Sequence, residues 1–251
     1  TGEGKVMGAR INANTDPMGE GSVMHEWSTY DNILTDEQIA GLAAAFAPKV
    51  TDLDSAEFEL VAGPSDIYDG ENLINGWVNA GGATNFELGD GYVSLVSAAN
   101  NGWLQHDNDE SAWEQGVADG GSWTAEIRIR LAADDGNGIV IWGANGAERN
   151  ILQVNTGNTQ TLTGTVLDEN DNTDAFHTFR LAFEAEDGLY YVWRDGVLLT
   201  PDGIAKQAGT GANRFIVGDC CSGIPMTTVD LGYIRYDTTG AYSPALEITA
   251  L

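Results

Sequence analysis

The sequence predicts an all-β protein, an antiparallel jelly-roll β-sandwich with one short N-terminal helix. Three observations carry that prediction. Beyond residue 48, apolar residues recur at every second position in short runs, the period of a strand with one buried face. Gly-, Asn- and Asp-rich turns separate the runs, and the chain holds 32 glycines. No helical periodicity interrupts these runs, which points to a sandwich or jelly roll rather than alternating strands and helices. At 251 residues and 42% apolar content, the chain is long enough to bury a proper core.

Taken in order, Val6–Arg10 and Val23–Asp31 read as strands joined by a polar, Gly-rich loop. The same pattern recurs in Phe215–Asp219, a Gly/Pro loop and Val229–Asp237. In both copies the first strand stops at Gly, and the second ends aromatic-x-x-Tyr-Asp. One supersecondary unit used twice accounts for this. Residues 1–48 are therefore expected to be the closing strands and helix of one unit, packed on a complete second unit, 49–251. The helix is expected over 35–47. Thr35 and Gln38 form a capping box, Leu34 staples to Ile39, and Pro48 ends a run in which Ile39, Leu42, Ala43 and Phe46 share a face.

After Pro48 the elements are strands. Phe58 and Leu60 alternate with Glu57 and Glu59, and Val93 and Leu95 with Tyr92 and Ser94. In Trp123–Leu131 the odd positions Trp123, Ala125, Ile127, Ile129 and Leu131 face inward, and Thr124, Glu126, Arg128 and Arg130 outward. Ile139–Trp142 is apolar on both sides, so both its faces are expected to be covered. Thr161, Thr163 and Thr165 alternate with Leu162 and Val166, and His177, Phe179, Leu181 and Phe183 with Thr178 and Arg180. Turns at Glu186–Gly188 and Asp195-Gly196 flank a strand over Leu189–Arg194.

The charge narrows the partners. Thirty-eight acidic residues against 11 basic ones give a net charge of −27. That excludes nucleic acid, whose backbone needs a cationic footprint, and argues against anionic membrane surfaces. No apolar run approaches a membrane span. Such acidity suits salty water, and the expectation is a secreted or cell-surface bacterial protein. The chain opens on Thr, so it is expected to be part of a larger multidomain chain. Cys220-Cys221, the only cysteines, are either a strained vicinal disulfide or two thiols.

A family resemblance rests on particular residues. Phe176-His-Thr-Phe-Arg180, followed by Leu189-Tyr-Tyr-Val-Trp-Arg-Asp-Gly-Val-Leu198, resembles the Trp-His-x-Tyr-Arg … Tyr-Val-Asp-Gly hairpin of LamG-like jelly rolls. These belong to the concanavalin A-like lectin/glucanase superfamily. Here Phe176 replaces the usual Trp, and Trp193-Arg194 interrupts the usual Val-Asp. Trp27–Leu42 is similar to the Leu-Ser-Asp-Glu-Glu-Ile ending of such domains. Residues 67–106 also resemble sugar-hydrolase domains acting on 3-keto-disaccharides. The resemblance implies the sandwich fold, saccharide partners and calcium, which is common among LamG-like modules.

Catalytic motifs of that superfamily are missing. Its glucanases place Glu-x-Asp-x-x-Glu carboxylates on one strand face, and Asp52, Asp54 and Glu57 lack that order. Its lyases use Gln-x-His, whereas Gln105-His106 is adjacent and its side chains would diverge on a strand. The positive signal is aromatic. Seven Trp, several beside Gly/Asn turns, suit the apolar faces of sugar rings, with polar side chains for the hydroxyls. A glycan platform would use Trp103, Trp113 and Trp142, with His106 or Arg180 as donors. The other reading makes these indoles core plugs. Arg128, Arg130 and Arg180 project from polar strand faces. They either read a carboxylated or sulfated sugar or pair with neighbours such as Glu126. Asp168, Asn170, Asn172 and Asp174 have oxygen-ligand spacing for Ca2+, although Thr173 and Phe179 stand where an EF-hand needs Gly and Glu. The alternative there is an acidic hairpin tip.

Two roles compete with a non-catalytic polysaccharide-binding module. One is a glycoside hydrolase or polysaccharide lyase with displaced catalytic residues. The other is a structural or adhesive repeat.

Overall fold

The computed structural model describes residues 60–80, 84–97, 103–106, 113, 120–132, 138–146, 148–208, 213–218 and 227–244. All lie in one compact unit, Lys49–Leu251. The first copy of the repeated pattern, the helix expected over 35–47, Phe58 and the Cys220-Cys221 pair fall outside the described residues.

Seventeen strands and one short helix are described. In chain order they are β1 (Leu60–Ala62), α1 (Pro64–Ile67), β2 (Trp77–Ala80), β3 (Thr84–Leu88), β4 (Val93–Ser97), β5 (Trp103–His106) and β6 (Trp123–Leu131). Next come β7 (Ile139–Asn145), β8 (Glu148–Asn155), β9 (Asn158–Thr161), β10 (Val166–Asp168), β11 (His177–Glu184) and β12 (Leu189–Arg194). The remainder are β13 (Val197–Leu198), β14 (Ile204–Ala205), β15 (Gln207–Ala208), β16 (Asn213–Gly218) and β17 (Val229–Asp237). They form two antiparallel sheets. The nine-stranded sheet runs β13-β12-β11-β6-β17-β4-β3, with β1 also on β17 and β14 on β12. The eight-stranded sheet runs β10-β9-β8-β7-β16-β5-β2, with β15 on β8. β16 and β17, the two strands of the repeated C-terminal pattern, thus sit in opposite sheets.

Alternation decides what lies between the sheets. Trp123, Ala125, Ile127, Ile129 and Leu131 of β6, and Phe179, Leu181 and Phe183 of β11, all point into one core with Ile139, Ile141, Leu152 and Val154. At its centre Trp113 lies edge-on to Trp123 (centroids 4.9 Å apart) and to Tyr236 (5.2 Å). Its indole N–H donates to Ala144 O (2.9 Å) in one sheet, and its backbone N–H to Tyr236 Oη (3.1 Å) in the other. The sheets are therefore joined by a buried indole with its polar atom satisfied. Both faces of β7 are buried, as expected: Val140 and Trp142 join Ile151 and Ile216 in a separate outward cluster.

Two local readings change. The strand expected over 161–166 is a hairpin turn, because Gly164 adopts φ +85° and its N–H donates to Thr161 O (2.9 Å). The side chains that seemed to alternate are those of a turn, with the Thr161 and Thr163 hydroxyls bonded to each other. Helix α1 was not expected. Pro64 at its first position and Asp66, which accepts from the Gly63 N–H (3.0 Å), start a single turn too short for a periodic signal.

The core leaves no room above Gly143. A Cβ there would lie 2.4 Å from Trp123 Cη2, and Trp123 is itself held by its neighbours. Gly143→Ala should cost about 1–3 kcal/mol in urea denaturation through overpacking. Gly121→Ala, whose Cβ would meet nothing within 4 Å, should stay within about 0.5 kcal/mol of the parent.

Candidate functional site

The outward face of the nine-stranded sheet carries a chain of charged and aromatic side chains across four adjacent strands. Register sets their order. Arg180 on β11 stands opposite Glu126 on β6, which stands opposite Arg235 on β17. One residue pair along, Thr178, Arg128 and Tyr233 form the next row. Trp193 of β12 is opposite Arg180 and shares this face.

Glu126 is the centre. Its Oε2 accepts from Arg180 Nε (2.7 Å) and Nη2 (2.6 Å). Its Oε1 accepts from Arg235 Nε (2.8 Å) and Nη2 (2.5 Å) and from Tyr233 Oη (2.7 Å). The side chain is only 4% exposed. Burial pushes its carboxyl up, but Arg180, Tyr233 and Arg235 together outweigh burial and hold it below the ordinary glutamate value. Burial, reinforced by Glu126, raises the Tyr233 phenol. A carboxylate with two guanidinium forks on its two oxygens has no lone pair left to act as base or nucleophile. What it does instead is fix two arginines in place.

Beside this network is an open cleft of about 350 Å³, with Thr178, Tyr233 and Arg235 on its floor and Trp193, Asp195 and Pro244 around it. The Arg235 side chain is 33% exposed there. The I′-like turn Asp195-Gly196, with φ of +50° and +79°, sets one rim. Asp195 accepts from the Thr178 N–H (2.8 Å) and bonds His177 Nδ1 (2.7 Å), whose Nε2 reaches Asp174 (2.8 Å). The opposite rim is chain 239–244, which crosses the sheet. Thr124 Oγ1 donates to Gly240 O (2.9 Å), the Tyr242 N–H donates to Thr124 Oγ1 (2.8 Å), and Arg180 Nη1 donates to Ser243 O (2.8 Å). Beneath it, Tyr191, Trp193, Ala182 and Ala241 pack together.

The residues singled out for saccharide contact divide between the outward faces of the two sheets and the core side, where His106 packs against Trp77. Arg128, Arg130 and Arg180 share the face just described. Trp103, His106 and Trp142 belong to β5 and β7 of the other sheet. Trp113 belongs to neither face, because it is fully buried in the core, and a stacking platform there is overturned. Trp142, 5% exposed, has Arg149 over its ring at 5.3 Å and offers no open face for a sugar. Trp103 is half-buried, with its N–H on Gln105 Oε1 (3.3 Å). His106 Nε2 bonds Asn75 O (3.1 Å), and the ring packs edge-on to Trp77. Of the arginines, Arg180 pairs with Glu126, and Arg130 with Asp230 (2.6 Å). Arg128 stacks over Phe176, 4.5 Å from its centroid.

The calcium-spaced loop is organised around Arg194. Its Nε donates to Asn172 Oδ1 (3.1 Å) and lies 3.5 Å from Asp168 Oδ2, while Nη2 donates to Asp171 O (2.6 Å). Asn172 is 1% exposed and donates to Asn155 O and Asn158 O. Asn170 bonds Asp168. Arg194 thus engages Asp168 and Asn172, two of the four side chains whose spacing suggested Ca2+, while Asp174 bonds His177, and no group of three or more His, Cys, Asp or Glu suited to a metal occurs among the described residues.

Sequence reasoning missed Tyr233, Arg235, Trp193 and Asp195 as site residues. The alternation of Val229–Asp237 places Tyr233 and Arg235 on one face. Which strand would lie beside them was not written in it.

No family model and no curated protein matches the chain. Solved structures of similar shape include a carbohydrate esterase, vb_24B_21, from Shiga toxin-encoding bacteriophage phi24B (TM-score 0.48, 14% identity, 75% of this chain and 100% of that one). Others are the carbohydrate-binding module CBM66 from Bacillus subtilis (0.43, 12%, 64% and 95%) and the Emp47p carbohydrate recognition domain (0.45, 12%, 76% and 100%). No helix of the described residues is long and apolar enough to cross a membrane.

Glu126→Ala, which strands buried Arg180, should cost about 3–5 kcal/mol. Because the Glu126 carboxyl is held low, its stabilisation is complete above the ordinary glutamate value and is lost as pH falls through the lower folded value. Urea midpoints measured from pH 7 down to pH 3 should therefore fall more steeply for the parent than for Glu126→Gln.

Proposed function

We propose that this chain is a non-catalytic carbohydrate-binding module of a secreted or cell-surface protein, a LamG-like jelly roll that binds saccharide in the cleft over β6, β11, β12 and β17. The observation that carries the reading is the Glu126 network. It holds Arg235 and Tyr233 rigidly at the floor of a cleft of about 350 Å³, near the lower end of the usual ligand-pocket range. Fixed planar donors next to an aromatic ring suit a saccharide, which needs hydroxyl partners and a flat apolar contact. With both Glu126 oxygens committed, the cleft is suited to holding a sugar rather than cleaving it.

One observation favours a second reading, a structural or adhesive repeat. Among the described residues, Trp77, Trp113, Trp123, Trp142 and Trp193 are each 5% exposed or less, and only Trp103 is more open. The aromatic excess is thus largely spent on packing.

Titration of the chain with a panel of neutral and acidic polysaccharides separates the two. The binding reading expects saturable binding to at least one polymer, weakened about tenfold or more by Arg235→Ala, without new reducing ends or unsaturated products. Absence of binding to every polymer, with self-association instead, would establish the structural repeat.

A further inference from the structure

We infer that Arg149 and Arg214, on the outward face of the eight-stranded sheet, form an oxyanion subsite that takes a carboxylate or sulfate group of an acidic polysaccharide. It is a second site, on the other sheet from the cleft, and it does not depend on the cleft reading.

Register builds the site. Arg214 on β16 stands opposite Ala144 on β7, which stands opposite Arg149 on β8, itself opposite Gln207 on β15. Directly opposed residues share a face, and Ala144 belongs to the outward cluster of this sheet with Val140, Trp142, Ile151 and Ile216. The backbones of the two arginines are therefore two strand spacings apart, about 10 Å, with only the Ala144 methyl group between them. The Arg149 guanidinium lies 5.3 Å from the centre of the Trp142 ring, so it leans over β7, the strand that separates it from Arg214. An oxyanion above Ala144 is within reach of both guanidinium forks.

Neither arginine side chain is used by the fold. Arg130, Arg180, Arg194, Arg235 and Lys206 each lie within ion-pair distance of a carboxylate. Among the described residues Arg149 and Arg214 have no side-chain hydrogen bond or ion pair, and the Nε of each is buried with no partner. Glu148, next to Arg149 in the chain, is taken by Lys206. The other described positions on this face are aliphatic, Trp, Gly or carboxamide, with Gln105 opposite Ile216, Gln153 opposite Val140 and Gln160 opposite Gln153. The outward face of the nine-stranded sheet, by contrast, carries Glu87, Glu126, Glu184, Asp230 and Asp237. On a chain of net charge −27, two unpaired arginines among described positions without a carboxylate form a local cationic row. Repulsion from distant acids is screened within about 8 Å at physiological salt.

The neighbours of that row decide the class of ligand. Guanidinium forks match the paired oxygens of a carboxylate or a sulfate ester. Carboxamides donate and accept at once, as hydroxyl partners must. Together they fit a hydroxyl-rich chain that carries oxyanions.

The test uses polymer pairs that differ only in charge, polygalacturonate with its carboxyl-reduced form and a sulfated galactan with its desulfated form, titrated calorimetrically into the whole chain. At least one charged polymer should bind about tenfold or more tightly than its neutral counterpart. Arg149→Gln and Arg214→Gln should each remove most of that difference, and Arg235→Ala, a change in the cleft, should leave it. The pair that shows the difference tells carboxylate from sulfate. Equal affinity for charged and neutral forms, or a preference that survives both glutamine variants, overturns the subsite. Polyglutamate bound as tightly through the same two arginines overturns the saccharide assignment in favour of an acidic peptide. Failure of the cleft reading looks different: neutral polymers would not bind, or would bind Arg235→Ala as well as the parent. Because neither arginine side chain bonds within the described fold, both glutamine variants should keep the parent's urea midpoint. Each reports alone, so one that did not fold would leave the other to decide.

Discussion

A buried carboxylate has to be compensated, and on the outward face of the nine-stranded sheet this requirement organises everything around it. Glu126 lies in the middle of the central strand β6, where water cannot solvate it. Compensation comes from both neighbouring strands, through Arg180 on one side and Arg235 and Tyr233 on the other. The same contacts that make burial tolerable lock three strands in register and hold two guanidinium planes still. Arg180 passes the constraint on to Ser243 and so to the chain crossing the sheet. The cleft is what remains between that crossing chain, the Asp195-Gly196 turn and the locked floor.

The aromatic residues were divided by the same logic of satisfaction. An indole in a core needs one acceptor, and Trp113 finds it in Ala144 O. Once that donor is satisfied, its large apolar surface contributes most when fully buried between the sheets. Trp113, a residue that looked suited to sugar stacking, instead holds the two sheets together.

Much of the fold was legible in the sequence because period-two alternation states directly which side chains share a face. Trp123–Leu131 and His177–Phe183 read correctly for that reason. Thr161–Val166 misled because a tight hairpin can imitate alternation when its turn residues are Thr and Gly. The site was less legible. Sequence placed Arg128, Arg130 and Arg180 outward, but sorting paired from unpaired arginines required knowing that β17 lies against β6. That order depends on pairing across about a hundred residues, and no local pattern encodes it. The loop at Asp168–Asp174 shows the same limit: its oxygens have calcium spacing, and no local pattern says that Arg194, arriving from the next hairpin, lies against two of those side chains, Asp168 and Asn172.

One margin of the nine-stranded sheet is not a single strand. Beyond β12 it is split into Val197–Leu198 and Ile204–Ala205, two residues each. A border so fragmented presents no long row of unpaired amides and carbonyls for another chain to continue. Copies of this domain set side by side could not zip together along that border, and any array they built would have to be held by side-chain surfaces.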